Sequence, residues 1–289
     1  MATYVTSDAH GHLRALDRAL EMAGPGSRDA VFVLGDMVDR GPDPLGVIGL
    51  VRSLPNVHVL MGNHEAILLE TVLHGGDREM LSWHMNGGFT TSEQLAALTL
   101  DQHAEVLDWL AALPAFAVVD VDDARPSAAA GARRAHVLCH AGIDARRLRD
   151  SLGRLGITPD GQGGYGNASA SELLDAMVEQ RVEDLLWIRE GFWSEPTGLV
   201  GRDGRGPVVV AGHTPSVVMG RYAKLMCGTG VDEELRGVMV EVGPSRDTGG
   251  VPDRICIDCS AATGSPAGRV GVMRLEDRRV WLADIEEGA

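Results

Sequence analysis

Five short blocks in this chain set carboxylates, imidazoles or amides at the ends of apolar runs. They are Asp8-Ala9-His10-Gly11-His12, Gly35-Asp36-Met37-Val38-Asp39-Arg40-Gly41, Gly62-Asn63-His64-Glu65, His140-Ala141-Gly142 and Gly212-His213-Thr214-Pro215. An aspartate or asparagine in one such block is ordinarily a turn residue or a helix cap. All five together, in this order, amount to the parts of a site for two divalent cations. Cations close together need a shared ligand with two oxygens, flanked by terminal nitrogen and oxygen ligands. Asp36 is the bridging candidate, because it directly follows a run that reads as a buried strand. Asp8 and His10, at i and i+2 in an extended segment or turn, can reach one ion; Asn63, His140 and His213 offer a carbonyl oxygen and two imidazoles to the other. This mixture of hard oxygen and borderline nitrogen suits Mn²⁺, Fe or Zn²⁺ better than Mg²⁺ or Ca²⁺.

The elements that must position these residues alternate. Residues 3–7 read as a strand ending at Asp8, and Leu13, Leu16, Ala19, Leu20 and Ala23 recur at helical spacing until Gly24-Pro25 stops them. Residues 30–34 form a continuous apolar run, as in a strand buried on both faces. A helix over 45–54, a strand over 57–61 and a helix over 65–73 follow. In each unit the polar cluster sits just past the strand's carboxyl end, where open α/β sheets place their ligands. The second half is richer in strands, expected over 115–121, 136–139, 208–211, 254–257, 270–275 and 280–285, with Asp277-Arg278 turning a terminal hairpin. Residues 122–135 read as an exposed loop, 157–167 as a glycine-rich connection, 171–187 as one amphipathic helix, and 220–250 as loop with a possible strand over 238–242. Because this half continues the ligand series, the expectation is one domain over 1–289 with insertions near 144–184 and 220–250.

Composition sets outer limits. A chain of 289 residues with 44% hydrophobic content can bury a substantial core. A formal net charge of −15 argues against a general nucleic-acid binder, and part of it would be offset by cations on the ligand carboxylates. No apolar run is long enough for a membrane helix, the start has no signal-peptide pattern, and the four cysteines form no disulfide framework, so a cytoplasmic location is expected. The pair Cys256 and Cys259 has no second pair to complete a zinc site, and burial is its expected fate. His12 lies next to the site but is not counted among the ligands.

The five blocks resemble the phosphoprotein phosphatase family of calcineurin-like metallophosphoesterases, whose set is GDxHG, GDxVDRG, GNHE, H-[GA]-G and GH; Ser7 stands where the family usually has glycine. That resemblance implies a central β-sandwich of two mixed sheets flanked by helices, an αββα arrangement of four layers. It implies that Asp8, His10 and Asp36 hold one metal and that Asp36, Asn63, His140 and His213 hold the other. Arg40 would clamp the phosphate, and His64, oriented by Asp39, would protonate the leaving oxygen. Leu186-Trp187-Ile188-Arg189 resembles the WIR segment of bacterial members, making Arg189 the second clamp; Trp83 to Gly88 resembles their W-x-x-N-G-G segment, although it also reads as a helix end with a glycine cap. The implied reaction is direct attack on phosphorus by a hydroxide bridging two divalent ions, Mn²⁺ in first place.

These two segments point towards phosphoserine and phosphothreonine in proteins as substrates. Symmetrical dinucleoside tetraphosphates or other small phosphorylated molecules are the alternative, disfavoured by an aromatic content of only 4%, since base stacking needs aromatics. A catalytically dead scaffold would have lost ligands, and none is missing. No nucleic-acid or membrane partner is expected, and the oligomeric state is open.

Overall fold

The computed structural model describes residues 1–125 and 131–286. The strands are β1 (Thr3–Thr6), β2 (Ala30–Val33), β3 (Val57–Val59), β4 (Phe116–Asp122), β5 (Arg133–Cys139), β6 (Val208–Ala211), β7 (Met226–Cys227), β8 (Val240–Val242), β9 (Arg254–Cys256), β10 (Arg269–Arg274) and β11 (Arg279–Asp284). The helices are α1 (Leu13–Ala23), α2 (Pro44–Ser53), α3 (Asn63–His74), α4 (Asp77–Trp83), α5 (Phe89–Ala96), α6 (Leu100–Ala111), α7 (Ala145–Arg154), α8 (Ala170–Met177), α9 (Val182–Trp187) and α10 (Glu190–Trp193). One sheet has the order β11-β10-β1-β2-β3 and the other β4-β5-β6-β9-β8-β7. Both are mixed: β1, β2 and β3 run parallel while β10 and β11 are antiparallel, and β5, β6 and β9 run parallel between antiparallel neighbours.

Side chains alternate across each strand, so a strand buried on both faces feeds two cores. Val5, Phe32, Leu34, Leu138, Val208, Val210, Ile255, Ile257 and Met273 meet between the sheets. Their neighbours Tyr4, Val31, Val33, Val270 and Val272 face outward against Leu16, Leu20, Val47, Leu68 and Leu110 of the helices. On the far side, Val137, Val209 and Val242 pack with Leu148, Leu152, Leu173, Leu185 and Trp193. The layers are therefore helix, sheet, sheet, helix, as the resemblance implied. No helix among the described residues is long and apolar enough to cross a membrane.

Several expectations change in detail. The single helix over 171–187 is two, α8 and α9. The break between them lets the Gln180 side chain accept from the Asp144 amide at 2.9 Å and donate to the Asp144 carbonyl at 3.2 Å. The loop over 122–135 is trimmed at both ends, because β4 includes Asp122 and β5 begins at Arg133; residues 126–130 of it lie outside the described residues. The possible strand over 238–242 shortens to β8, which pairs with β7 on the sheet edge. Helices α5 and α6 were not foreseen, and of α4 only its end at Trp83 was read. Helix α3 begins at Asn63, ahead of the expected Glu65. Both Cys256 and Cys259 are buried, as expected, with their thiols on the backbone carbonyls of Thr214 and Ile257 at 3.3 and 3.6 Å.

The turn after β2 runs tight against the turn after β3. Gly35 has φ 86°, and a Cβ there would lie 2.4 Å from the Gly62 nitrogen. Strain at a positive φ and backbone overlap add, so Gly35→Ala should lower unfolding stability by roughly 2–4 kcal/mol. Urea denaturation followed by circular dichroism measures this; an unchanged midpoint would contradict the packing described.

Candidate metal centre

The parallel strands deliver their carboxyl ends to one edge of the sandwich: Asp8 follows β1, Asp36 follows β2, Asn63 follows β3, His140 follows β5 and His213 follows β6. Backbone bonds join the first two turns. The amides of Asp8, His10 and Gly11 donate to the carbonyls of Gly35, Asp36 and Met37 at 3.0, 2.9 and 2.8 Å. Glu65, in the first turn of α3, fixes the third. Its buried carboxylate accepts the amides of Asp36 and Met37 at 2.8 Å each, Gly62 at 3.0 Å and Val38 at 3.3 Å. These bonds hold unusual backbone: Asp8, His10, Asp36, Asp39, Arg40 and His213 have φ of 55°, 43°, 53°, 69°, 72° and 63°. Left-handed conformations at non-glycine residues persist where the surroundings enforce them, and they gather at functional sites.

Asp36 lies between two groups of ligand atoms, one with His10 and His64, the other with His140 and His213. Its Oδ2 is 3.5 Å from His10 Nε2, and its Oδ1 is 3.4 Å from His140 Nε2. The rings are set from behind. His10 Nδ1 meets the Val38 carbonyl at 3.1 Å and His140 Nδ1 the Leu34 carbonyl at 2.8 Å. A carbonyl only accepts, so each Nδ1 carries the hydrogen and each Nε2 lone pair faces Asp36, the usual way a ligating imidazole is oriented. Burial lowers the pKa of both rings and keeps them neutral. Asn63 Oδ1 lies 2.8 Å from both His140 Nε2 and His213 Nδ1. Lone pairs thus converge in a buried space, an arrangement that a cation relieves. His213 Nε2 is buried without a partner, and burial, then His140 and Arg189, push that ring's pKa down to about 2. The donor set, with Asp36 common to both groups, fits a pair of divalent cations.

Other expected residues fall around this floor. His64 Nδ1 is 2.7 Å from Asp39 Oδ2, and Arg40 Nη2 is 3.0 Å from His64 Nε2. Nδ1–H donates to Asp39, and the Arg40 guanidinium, which only donates, meets the Nε2 lone pair; a proton at Nε2 requires Arg40 to turn away, as it would towards an anion. Burial opposes protonation of His64, yet Asp36 and Asp39 raise its pKa. Arg40 and Arg189 are exposed at the rim above the buried floor, and Arg189 Nη2 lies 3.4 Å from the His213 carbonyl. Asp8 is not brought into either group: its carboxylate accepts the His213 amide at 3.1 and 3.0 Å. Sequence reasoning saw in Ile257-Asp258 only a loose likeness to a later strand of the family and gave Asp258 no role, although it follows β9 by the same strand-end rule that located the rest. It is 2% exposed, and burial raises its pKa to about 7, with Asp36 adding to the rise and Arg40 and Arg189 opposing it.

A model of the calcineurin-like phosphoesterase family matches residues 1–238, and the chain belongs to that family. Its curated relatives include a symmetrical bis(5'-nucleosyl)-tetraphosphatase of Dechloromonas aromatica (strain RCB), 36% identical over 113 residues, which cover 38% of this chain and 37% of the relative. Another of the same name, from Psychromonas ingrahamii (strain DSM 17664 / CCUG 51855 / 37), is 34% identical over 122 residues, 40% of this chain and 39% of the relative. The matches thus span 37% and 39% of those relatives' lengths. Among solved structures, a protein provisionally assigned as a diadenosine tetraphosphatase has a TM-score of 0.53 at 18% identity, with 99% of this chain and 94% of that chain covered. A protein serine/threonine phosphatase from Saccharomyces cerevisiae has a TM-score of 0.50 at 16% identity, with 99% and 80% covered. At these identities the likeness is one of fold.

Glu65 gives this site a direct test. In Glu65→Gln one acceptor oxygen becomes a donor facing backbone donors, and each lost charge-assisted bond is worth about 1.5–3 kcal/mol. The variant should retain less than roughly a tenth of the wild-type metal affinity, the order of loss seen when a supporting partner is removed. Elemental analysis after dialysis against Mn²⁺ measures it; full retention would show that Glu65 does not support the ligand turns.

Proposed function

We propose that this phosphoesterase hydrolyses phosphomonoesters, with phosphoserine and phosphothreonine in proteins as the first candidates and Mn²⁺ as the first candidate metal, Fe or Zn²⁺ the alternatives. Asp8, His10, Asp36, Asn63, His140 and His213 are the proposed metal ligands. When bound, the cations lower the pKa of coordinated water and take up phosphoryl charge. Arg40 and Arg189 bind the phosphoryl oxygens from the rim, where a planar guanidinium can donate two parallel hydrogen bonds. His64, held at Nδ1 by Asp39, delivers a proton from Nε2 to the departing ester oxygen.

The His64–Asp39 contact at 2.7 Å carries this reading. An alkoxide is a poor leaving group that needs a positioned acid, whereas the phosphate leaving from an anhydride needs one much less. A second reading, hydrolysis of symmetrical dinucleoside tetraphosphates, is favoured by the names of the relatives. It is also favoured by Trp187, 47% exposed with its ring 6.1 Å from that of His213, where a base could stack.

Phosphate release by metal-stripped protein reloaded with Mn²⁺ separates the two. Faster turnover of a phosphoserine/phosphothreonine peptide than of diadenosine tetraphosphate is expected, and the reverse order would transfer the function to the nucleotide. Asp36→Asn should lose both metal and turnover. His64→Asn should keep the metal and lose peptide turnover by about 10²–10⁴-fold, the usual contribution of general acid catalysis. A fully active His64→Asn enzyme would refute the proton-donor role.

A further inference from the structure

The segment running from the end of α4 into α5 belongs to none of the five blocks, yet it holds parts of two of them. Trp83 is 1% exposed, and its indole N–H donates to Asp39 Oδ1 and Oδ2 at 3.1 and 3.0 Å. Thr91, on α5, bonds Asp39 twice: its hydroxyl donates to Oδ1 at 2.7 Å, and its oxygen accepts the Asp39 amide at 3.0 Å. With His64 Nδ1 on Oδ2, a carboxylate that is 0% exposed is bound by Trp83, Thr91 and His64 together. Buried carboxylates need such partners, and removing one leaves an oxygen unsatisfied or lets the group rotate.

The chain between these residues is shaped for the same purpose. A wide turn, His84–Gly88, bends at Gly87, where φ is 103°. The Gly87 carbonyl accepts the Arg40 amide at 2.8 Å, and a Cβ on Gly87 would lie 2.6 Å from Arg40 Cγ. Gly88 packs against the indole of Trp83, where a Cβ would lie 2.2 Å from Nε1. Tryptophan, bend and threonine thus address one backbone stretch, Asp39-Arg40.

We propose that Trp83 and Thr91 are positioning residues for the proton-donor pair: they aim the Asp39 carboxylate, and through it His64, at the leaving oxygen. The inference rests on the proton-donor role of His64 proposed above. If these residues act through His64, their loss must hurt most where the leaving group most needs a proton. A residue that only packs α4 against α5 would slow all substrates alike.

The experiment is a leaving-group series on the Mn²⁺-loaded enzyme, from phenyl phosphate to p-nitrophenyl phosphate, with His64→Asn, Trp83→Phe, Thr91→Val and Thr91→Ser compared with the wild type. Metal content and thermal midpoint are measured on each. For Trp83→Phe and Thr91→Val, kcat on phenyl phosphate should fall about 10- to 100-fold, part of the general-acid contribution, and on p-nitrophenyl phosphate less than about threefold. KM should stay near wild type, and Thr91→Ser should restore the wild-type slope. His64→Asn should show the same pattern, more steeply. A steep series for His64→Asn with equal losses across the series for Trp83→Phe and Thr91→Val would overturn this inference alone. A flat series for His64→Asn would overturn its proton-donor role and this inference with it. Should Trp83→Phe fail to fold, the contrast between Thr91→Val and Thr91→Ser decides.

Discussion

One buried carboxylate facing two ways is the constraint on which the rest depends. Asp36 presents Oδ2 towards His10 and Oδ1 towards His140, at 3.5 and 3.4 Å. A side chain can do this only if its backbone is turned out of the strand, and Asp36 has φ 53°. Nothing local favours that conformation in an aspartate strongly enough to hold it, so the fold supplies the restraint. Gly62 approaches so closely that a Cβ would lie 2.3 Å from the Asp36 nitrogen, and Glu65 takes up the amides of Asp36 and Met37. The sandwich brings the carboxyl ends of β1, β2, β3, β5 and β6 to one edge, and the rings that surround Asp36, those of His10, His64, His140 and His213, come from four of those ends.

The polarity of the site follows from the same arrangement. The floor is buried and rich in lone pairs, whereas the cations of the chain itself, Arg40 and Arg189, stand exposed above it. Such a layout suits an anionic substrate that arrives from solvent and spans the two: buried oxygens and imidazole nitrogens able to hold cations below, guanidinium groups above. Family membership and this layout agree on phosphoester chemistry. The choice between a protein and a nucleotide substrate rests on finer features, the leaving-group acid on one side and the relatives' names with the exposed Trp187 on the other.

Much of this was legible in the chain because strand ends and ligand types coincide. Apolar runs such as 30–34 and 208–211 announce buried strands, and one glycine beyond each stands a polar residue, Asp36 or His213, that solubility does not explain. Asp258 obeys the same rule after β9 and was passed over because no histidine or glycine beside it marked it as a block. Glu65 lay inside a recognised block without an evident task, since its partners are backbone amides of a distant turn, which leave no trace in composition. Helix α5 escaped because its apolar positions are few and Phe89 faces solvent, whereas α6 carries Val106, Leu107 and Leu110 at helical spacing and was passed over. Trp83 and Thr91 serve Asp39 across long stretches of sequence, so only the assembled fold shows their role. The break between α8 and α9 likewise depends on Gln180 meeting Asp144, a contact that helical periodicity does not foretell.

Anomalous X-ray scattering from crystals grown with Mn²⁺ tests the central claim most directly. The account predicts two anomalous peaks, one on each side of the Asp36 carboxylate, the first beside His10 and the second among Asn63, His140 and His213. A single peak, or two peaks that do not share Asp36, would contradict it.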